Sequence, residues 1–554
     1  MVQIQNINRM KKILSILIAG SFLTACGSNT ETKEAVDLSD NSGDTITILQ
    51  TADIHGQIEV HDELFWENDE ISFRRLGGMA NMKTLFNTER AKNPEGTIIL
   101  DGGDLIQGGA VAALSEGTAF SGIVKAMEYD FLIPGNWEVV YGKEKMINVL
   151  KAYDTPVIAA NMYDDKTQEY IFPPYFIKEM KGVKLGFISY NDPDIPVRQN
   201  PSFSKGIRFD KVHDNLAALV NKLKDEEEVD ILFLVTHIGI SKQFDLSNDP
   251  TLSKVDYILG NDTHERIREP LQGEFSKVTE PGAFASFVGK MQLIFKDGKI
   301  VYEGYELMEV DPEIYAPDEK VAAVIKTETA PYKEKISRVL GYTSTPLYRY
   351  FVVENPMDNF ITDAARWKTG ADISISNGFR FSPPLVPGKD GKAAITYEYL
   401  WNMLPVNEYV KTGKATGQQI HDWMEKEIHN VFAEDPKERF GGWLVRFSGM
   451  TLKFDSSKPK GERVVEITVG NEPLDLNRKY TVSACRREGE PDHMLCRMPN
   501  LTETEVKEYT VHEVLEEYLK EKGTIAPVRD GRAQALDLGD NVLSQLPGTD
   551  YHFH

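Results

Sequence analysis

Cysteine is nearly absent: the 554-residue chain has three, at positions 26, 485 and 496. So few exclude a disulfide-framework scaffold, and without a Cys-x-x-Cys pair or a nearby histidine spacing a structural zinc site is poorly supported. Cys485 and Cys496 could still pair in an oxidising compartment. Long apolar runs are missing too. The apolar stretch at residues 13–22 is only about half of the roughly 20 residues a membrane span needs. Positive charge is scarce, with 62 Lys and Arg against 85 Asp and Glu, a formal net charge of −23. The chain therefore has no general attraction to polyphosphate backbones or anionic lipid, and nucleic-acid binding is disfavoured. An anionic substrate would need a local positive centre, either clustered arginine or bound metal. Neither a phosphate-cradling glycine-rich loop nor a Gly-x-Ser-x-Gly elbow occurs, so nucleotide kinases and serine hydrolases are unsupported. What is present is a globular composition, 41% hydrophobic and 10% aromatic, at a length that predicts about two to four domains.

Residues 1–26 start with Arg9, Lys11 and Lys12, continue through the short apolar run and end in Leu23-Thr24-Ala25-Cys26. This is the pattern of a secretory signal. Its ending resembles the bacterial lipobox, which implies that Cys26 becomes a lipid-bearing first residue anchoring the chain at the bacterial cell envelope, periplasmic or surface-exposed. Residues 27–44 are polar and acidic without apolar period, and are expected to form a flexible tether.

From residue 45 to about 310, short β-branched runs alternate with longer helical patterns. The runs are at 45–50, 97–100, 131–133, 157–159, 184–189, 231–235 and 257–259, and the helical patterns include 78–90, 143–153 and 211–227. Such alternation predicts an α/β domain. A Lys-, Glu- and Ala-rich helical pattern follows at 318–340, broken only by Pro331, and is expected to join the domains over residues 311–340. The second domain, residues 341–540, mixes helices such as 418–431 with strands such as 450–454 and 480–483. The polar end, residues 545–554, is expected to be a loose tail with His552 and His554 inert.

The metal-capable side chains fall at strand ends. Asp53 and His55 follow the first strand, Asp104 the second, Asn136 the third, His237 the long apolar run and Asp262 with His264 the next. Ligands in open α/β sheets bind beyond the carboxyl ends of strands, so five strands would deliver these seven side chains to one site. Seven mixed N and O donors suit two divalent ions about 3.5–4 Å apart with one carboxylate between them.

The order Asp-x-His, Gly-Asp, Gly-Asn-x-Glu, His-x-Gly and Gly-x-x-x-His resembles the calcineurin-like metallophosphoesterases, specifically the two-domain secreted 5′-nucleotidase family. The resemblance extends to Asn377-Gly378-Phe379-Arg380. It implies a four-layer α/β sandwich followed by a mixed α/β C-terminal domain on a linking helix. It also implies hydrolysis of nucleotide phosphomonoesters by a metal-bound hydroxide. Carried over, Asp53, His55, Asp104 and His264 hold one ion, and Asp104, Asn136, His237 and Asp262 the other, with Asp104 as the bridge and Asn136 and Arg380 in catalytic roles. Substrate contacts fall to Asn377, Phe379, Arg380, Arg446 and Phe447 in the second domain.

Three departures accompany the resemblance. Family nucleotidases carry His and Asp in a Gly-Asn-His-Glu-Phe-Asp run, where this chain has Trp137 and Val140. Asp262 stands where the family usually has His, a harder ligand that favours Mn or Mg over Zn. Manganese is therefore the first expectation. The aromatic-flanked segment expected for base recognition is replaced by Arg487-Glu488-Gly489-Glu490-Pro491-Asp492. The Trp137-Glu138 pair and the 441–449 stretch are similar instead to the thiosulfohydrolase branch of the Sox sulfur-oxidation system. That branch implies sulfate release from a carrier-bound sulfur substrate as an alternative, and a metal-binding lipoprotein without turnover is a third.

Overall fold

The computed structural model describes residues 45–296, 299–378, 382–539, 541–544, 546 and 548–554. The signal, the tether and Cys26, as well as Phe379 and Arg380, lie outside the described residues. Two sheets build the first half. One runs Lys299–Glu309, Phe287–Lys296, Thr45–Thr51, Thr97–Asp101, Phe131–Leu132, and the last three strands are parallel. The other has the parallel strands Val183–Asn191, Ile231–His237, Tyr257–Leu259 and Lys277–Thr279 at its centre, with Tyr175–Met180 and Leu271–Gln272 at its edges.

Period-two alternation sorts their side chains into layers. Ile46, Ile48, Ile98 and Leu100 of one sheet meet Leu185, Phe187, Phe233 and Val235 of the other in a dry interface between the sheets. The opposite faces, with Leu49 and Ile99 on one sheet and Leu232 and Leu234 on the other, are covered by helices contributing Met82, Phe86, Ile123 and Leu216, Leu219, Val220. The result is helix, sheet, sheet, helix: the four-layer α/β sandwich. Residues 157–159 do not form a strand; only Val157 bridges, to Leu132.

The helical pattern after residue 318 ends sooner than its composition suggests. Asp318 caps the helix Glu319–Thr329 by accepting from the Val321 amide, Pro331 turns the chain into a short 3-10 segment, and Lys333–Ile336 closes it. Val339–Thr343 is already a strand of the second half, paired with Ala393–Thr396 and Thr524–Ile525. The connector is held to the first half by Val321 and Ile325, which sit in its core.

The second half centres on a five-stranded sheet in the order Arg446–Ser448, Ile373–Ser376, Lys479–Cys485, Tyr409–Thr416, Thr502–Thr510. The helix Gly417–Phe432 starts at a capping box in which Thr416 and Gln419 satisfy each other's backbone amides. Cys485 and Cys496 are free thiols. The expected loose tail is instead packed. Leu543 and Phe553 are buried with Leu64, Phe284, Tyr350 and Phe351, and His552 Nδ1 accepts from the Arg268 amide. Composition misled here because Phe553 finds its apolar partners hundreds of residues away. The Arg266 guanidinium, buried beside Glu63, lies 5.1–5.2 Å from the rings of Tyr350 and Phe553 and thus joins the tail and the second half to the first.

Candidate metal centre and active site

Strand ends build the site. Asp53 and His55 leave the Thr45–Thr51 strand, Asp104 leaves Thr97–Asp101, Asn136 follows Phe131–Leu132, His237 closes Ile231–His237, and Asp262 and His264 follow Tyr257–Leu259. All seven are buried. Five of them adopt left-handed backbone: Asp53 (φ 52°), His55 (49°), Asp104 (58°), Asp262 (97°) and His264 (60°). Such conformations are costly for non-glycine residues and persist where the surroundings fix them, commonly at functional sites. Glycines make room for the turns. A Cβ on Gly103 would lie 2.2 Å from the Gly135 nitrogen, and one on Gly135 2.2 Å from Asp104 Oδ1. Glu138 fixes the same two loops, its carboxylate accepting from the amides of Asp104, Leu105 and Gly135 at 2.6–2.9 Å. Burial raises its pKa to about 7.

The donors converge in two overlapping groups, Asp53 with His55 and His264, and Asp53 with Asp104 and His237. Their ring nitrogens are already oriented. His55 Nδ1 lies 2.9 Å from the Gln107 carbonyl and His237 Nδ1 2.7 Å from the Gly102 carbonyl. Each carbonyl accepts a hydrogen bond from Nδ1–H, which leaves Nε2 as the nitrogen facing inward, as metal-ligating histidines require. The His55 and His264 Nε2 atoms meet at 3.0 Å, and buried Asp53 Oδ1 makes no hydrogen bond among the described residues. Buried N and O atoms gathered at one point without full hydrogen bonding are what a cation site offers.

Electrostatics agree. Burial raises Asp53 well above the carboxylate range, offset in part by His237. Burial also raises Asp262, against Arg198 and His237. His55 is pushed down to about 4 by burial. Burial alone would lower His237 too, but the carboxylates of Asp104 and Asp53 hold it well above its usual value. A divalent cation would relieve this crowding of carboxylates.

Asp53 belongs to both donor groups, and Asp104 Oδ2 lies 3.7 Å from His55 Nε2 and 3.1 Å from His237 Nε2. Both carboxylates are therefore within reach of a shared position. Asn136 donates to Asp262 Oδ1 at 2.6 Å, and its own Oδ1 accepts from Gln199 at 3.2 Å.

A cavity of about 50 Å³ opens over these groups, lined by His55, Asp104, Asn136, Asp262 and His264 on one side and by Asn377, Phe440, Trp443 and Arg497 of the second half on the other. Trp137 lines it as well. Arg446 and Phe447 do not. Arg446 is buried with Nη2 donating to the Phe351 carbonyl at 2.8 Å, Nη1 to the Val352 carbonyl at 2.7 Å, and Nε 3.2 Å from Asp358. Phe447 packs in the core of the second half. The arginine expected to grip substrate is thus a buried cross-brace, its guanidinium committed to the carbonyls of Phe351 and Val352 and to Asp358. Arg446→Ala should cost about 3–5 kcal/mol, the typical result of removing one partner of a buried ion pair; the urea unfolding midpoint measures it.

Motif reading missed several cavity residues, among them Arg198, Gln199 and Arg497. Arg198 follows the strand Val183–Asn191, ion-pairs with Asp192 and holds Nη2 3.7 Å from Asp262 Oδ2. The signal was available, since that strand is parallel to Ile231–His237 and its carboxyl end meets the same edge.

A two-sheet sandwich carrying buried Asp, His and Asn donors at the carboxyl ends of its strands defines a metal-dependent hydrolase of the metallophosphoesterase class. Residues 46–266 match the calcineurin-like phosphoesterase model and residues 338–485 the 5′-nucleotidase C-terminal domain model. The chain belongs to the two-domain 5′-nucleotidase family of calcineurin-like phosphoesterases. The 5′-nucleotidase of Vibrio cholerae is 24% identical over 85% of this chain and 88% of its own, and that of Vibrio vulnificus 23% identical over 78% and 83%. Among solved structures, the sulfate thiohydrolase SoxB of Thermus thermophilus superposes with a TM-score of 0.80 at 22% identity, covering 90% of this chain and 98% of that one. A 5′-nucleotidase precursor from the same organism superposes at 0.76 and 21% identity, covering 89% and 99%.

Proposed function

We propose that the protein is a dinuclear-metal hydrolase that releases phosphate from nucleotide phosphomonoesters. The observation carrying this reading is the convergence of seven buried N and O donors beneath one open cavity, in a chain whose relatives are 5′-nucleotidases. Asp53, His55, Asp104 and His264 would hold one ion and Asp104, Asn136, His237 and Asp262 the other. Manganese is the favoured metal given the carboxylate Asp262. When bound, the ions supply Lewis-acid charge and an activated water at neutral pH.

The chain's own residues do the rest. Gln199 holds the Asn136 amide, which holds Asp262. The Trp137 amide donates to Asp104 Oδ1 at 2.7 Å and keeps the other carboxylate oxygen turned toward the histidines. Arg198 supplies fixed positive charge at the cavity, where Trp137 offers none. Asn377 faces the substrate from the second domain, and Phe379 and Arg380 are assigned there by their place in the motif.

A second reading, sulfate release from a sulfur ester, is favoured by Trp137, which places an apolar indole on the cavity wall. A panel of 5′-nucleotides, sugar nucleotides, simple phosphate esters and S-sulfonated thiols, assayed with manganese, separates the two. Phosphate release from 5′-nucleotides is the expected result, and turnover confined to S-sulfonates would replace the first reading with the second. Tight metal without any turnover would leave a binding lipoprotein.

Anchoring at the envelope through Cys26 belongs to the same proposal. No helix among the described residues is long and apolar enough to cross a membrane, so attachment would rest on lipid at Cys26. Cys26→Ser should move the protein from the membrane to the soluble fraction with metal content unchanged; retention on the membrane would identify another attachment.

A further inference from the structure

The cavity over the metal centre continues into a second one of about 130 Å³. Trp137, Arg198, Gln199, Asn377 and Arg497 line both, so the two form one passage. The far chamber is rich in arginine in a chain of net charge −23. Arg486 and Arg487, directly after the strand Lys479–Cys485, face it together with Arg349, Arg497 and Arg198.

Arg198 and Arg497 are already paired, with Asp192 and Glu427, and Glu408 and Glu490 lie on the chamber wall, so the charge open to a ligand is that of Arg349, Arg486 and Arg487. Asp358 is divided between Arg349 at 2.9 Å and Arg446 at 3.2 Å, one carboxylate for two guanidinium groups. Arg486 has no ion-pair partner among the described residues. Arg487 donates Nη2 to the Val197 carbonyl at 2.6 Å and stands 3.7 Å from Glu490, which fixes its fork at the rim. Stacking surface is poor by comparison, because the remaining wall is aliphatic, with Met403, Leu404 and Val406.

We propose that this chamber binds a second anionic group of the substrate, so that the preferred ester is one whose leaving alcohol carries another phosphate at its far end. The inference deepens the phosphomonoesterase reading and rests on it for the identity of the scissile group. The reaction is unchanged: water cleaves one P–O bond, inorganic phosphate leaves, and the alcohol departs protonated with its distal phosphate intact. Guanidinium forks match the paired oxygens of a phosphate, and held in place by Glu490 and Asp358 they need little reordering to bind it.

The test is equilibrium binding to the manganese-loaded full-length protein, comparing alkane-α,ω-bisphosphonates with the matching alkylphosphonates. These probes cannot be hydrolysed, so the result stands whether or not turnover occurs. At the best chain length the bisphosphonate should bind about tenfold or more tightly, and Arg486→Ala with Arg487→Ala should bring the ratio close to one. Arg486→Lys should keep part of the preference, which guards against a folding defect, and melting temperature and metal content are read for each variant. A wild-type ratio near one at every chain length, or a preference that survives the double substitution, overturns the proposal. Hydrolysis of p-nitrophenyl phosphate reports separately on the parent reading: its absence with both metals bound would end the phosphomonoesterase assignment without touching the binding contrast.

Discussion

Asp104→Asn is expected to leave fewer than two metal ions per chain and to lower kcat by about 10²–10³-fold or more. The substitution is nearly isosteric. Its Oδ1 can still accept the Trp137 amide, as Asp104 does at 2.7 Å, so the loop keeps its anchor. What disappears is the negative charge at Oδ2, the atom that faces both His55 and His237. Two divalent ions at close range repel strongly, and a carboxylate between them offsets that repulsion where a neutral amide cannot. Elemental analysis of the purified variant gives the stoichiometry directly. Two ions still bound per chain would remove Asp104 from the bridging position and shift it to Asp53, the carboxylate common to both donor groups. Asp53→Asn is then the variant that should lose metal.

Arg198→Ala should keep both metals and lower kcat on nucleotides by about 10²-fold, the usual scale for removing one fixed donor aimed at developing charge. Asp192 holds the guanidinium rigidly. Family nucleotidases carry His and Asp at the positions of Trp137 and Val140, so Arg198, a cavity-lining charge beside Asp262, is the group we propose to stabilise the departing oxygen. The penalty should therefore grow with the pKa of the leaving alcohol and be small for p-nitrophenyl phosphate, whose leaving group needs little help. Arg198→Lys should recover part of the rate, since it restores the charge without the fork. Loss of metal in Arg198→Ala would give a different answer: the residue would then act through Asp262, 3.7 Å away, as a positioning group for a ligand.

The first half of the fold was legible because its information is local. A buried parallel strand reads as a short apolar run, and a polar residue just after it has few places to go other than the sheet's carboxyl edge. That logic brought Asp53, His55, Asp104, Asn136, His237, Asp262 and His264 into view from spacing alone. It stopped short at Arg198 only because the run ending at Ser189 was read without its polar continuation, Asn191-Asp192. The connector's end was blurred for another reason. Lys-, Glu- and Ala-rich composition continues to Leu340, but pairing with Ala393–Thr396 imposes a strand from Val339 onward. Propensity yields to a tertiary partner.

The α/β class, the metal-capable donors and the order in which strands deliver them are written in the chain locally, because each depends on a residue and its near neighbours. Which arginines face the cavity is set by packing between distant segments. Arg446 and Arg486 are alike in composition and both belong to the second half. Yet one spends its donors on the carbonyls of Phe351 and Val352 in the interior, and the other opens into the chamber beside the metal centre. The same holds for Phe553, whose burial depends on Tyr350 and Leu64 far away in the chain. Burial is a property of packing between distant segments, and no pattern within a few residues carries it.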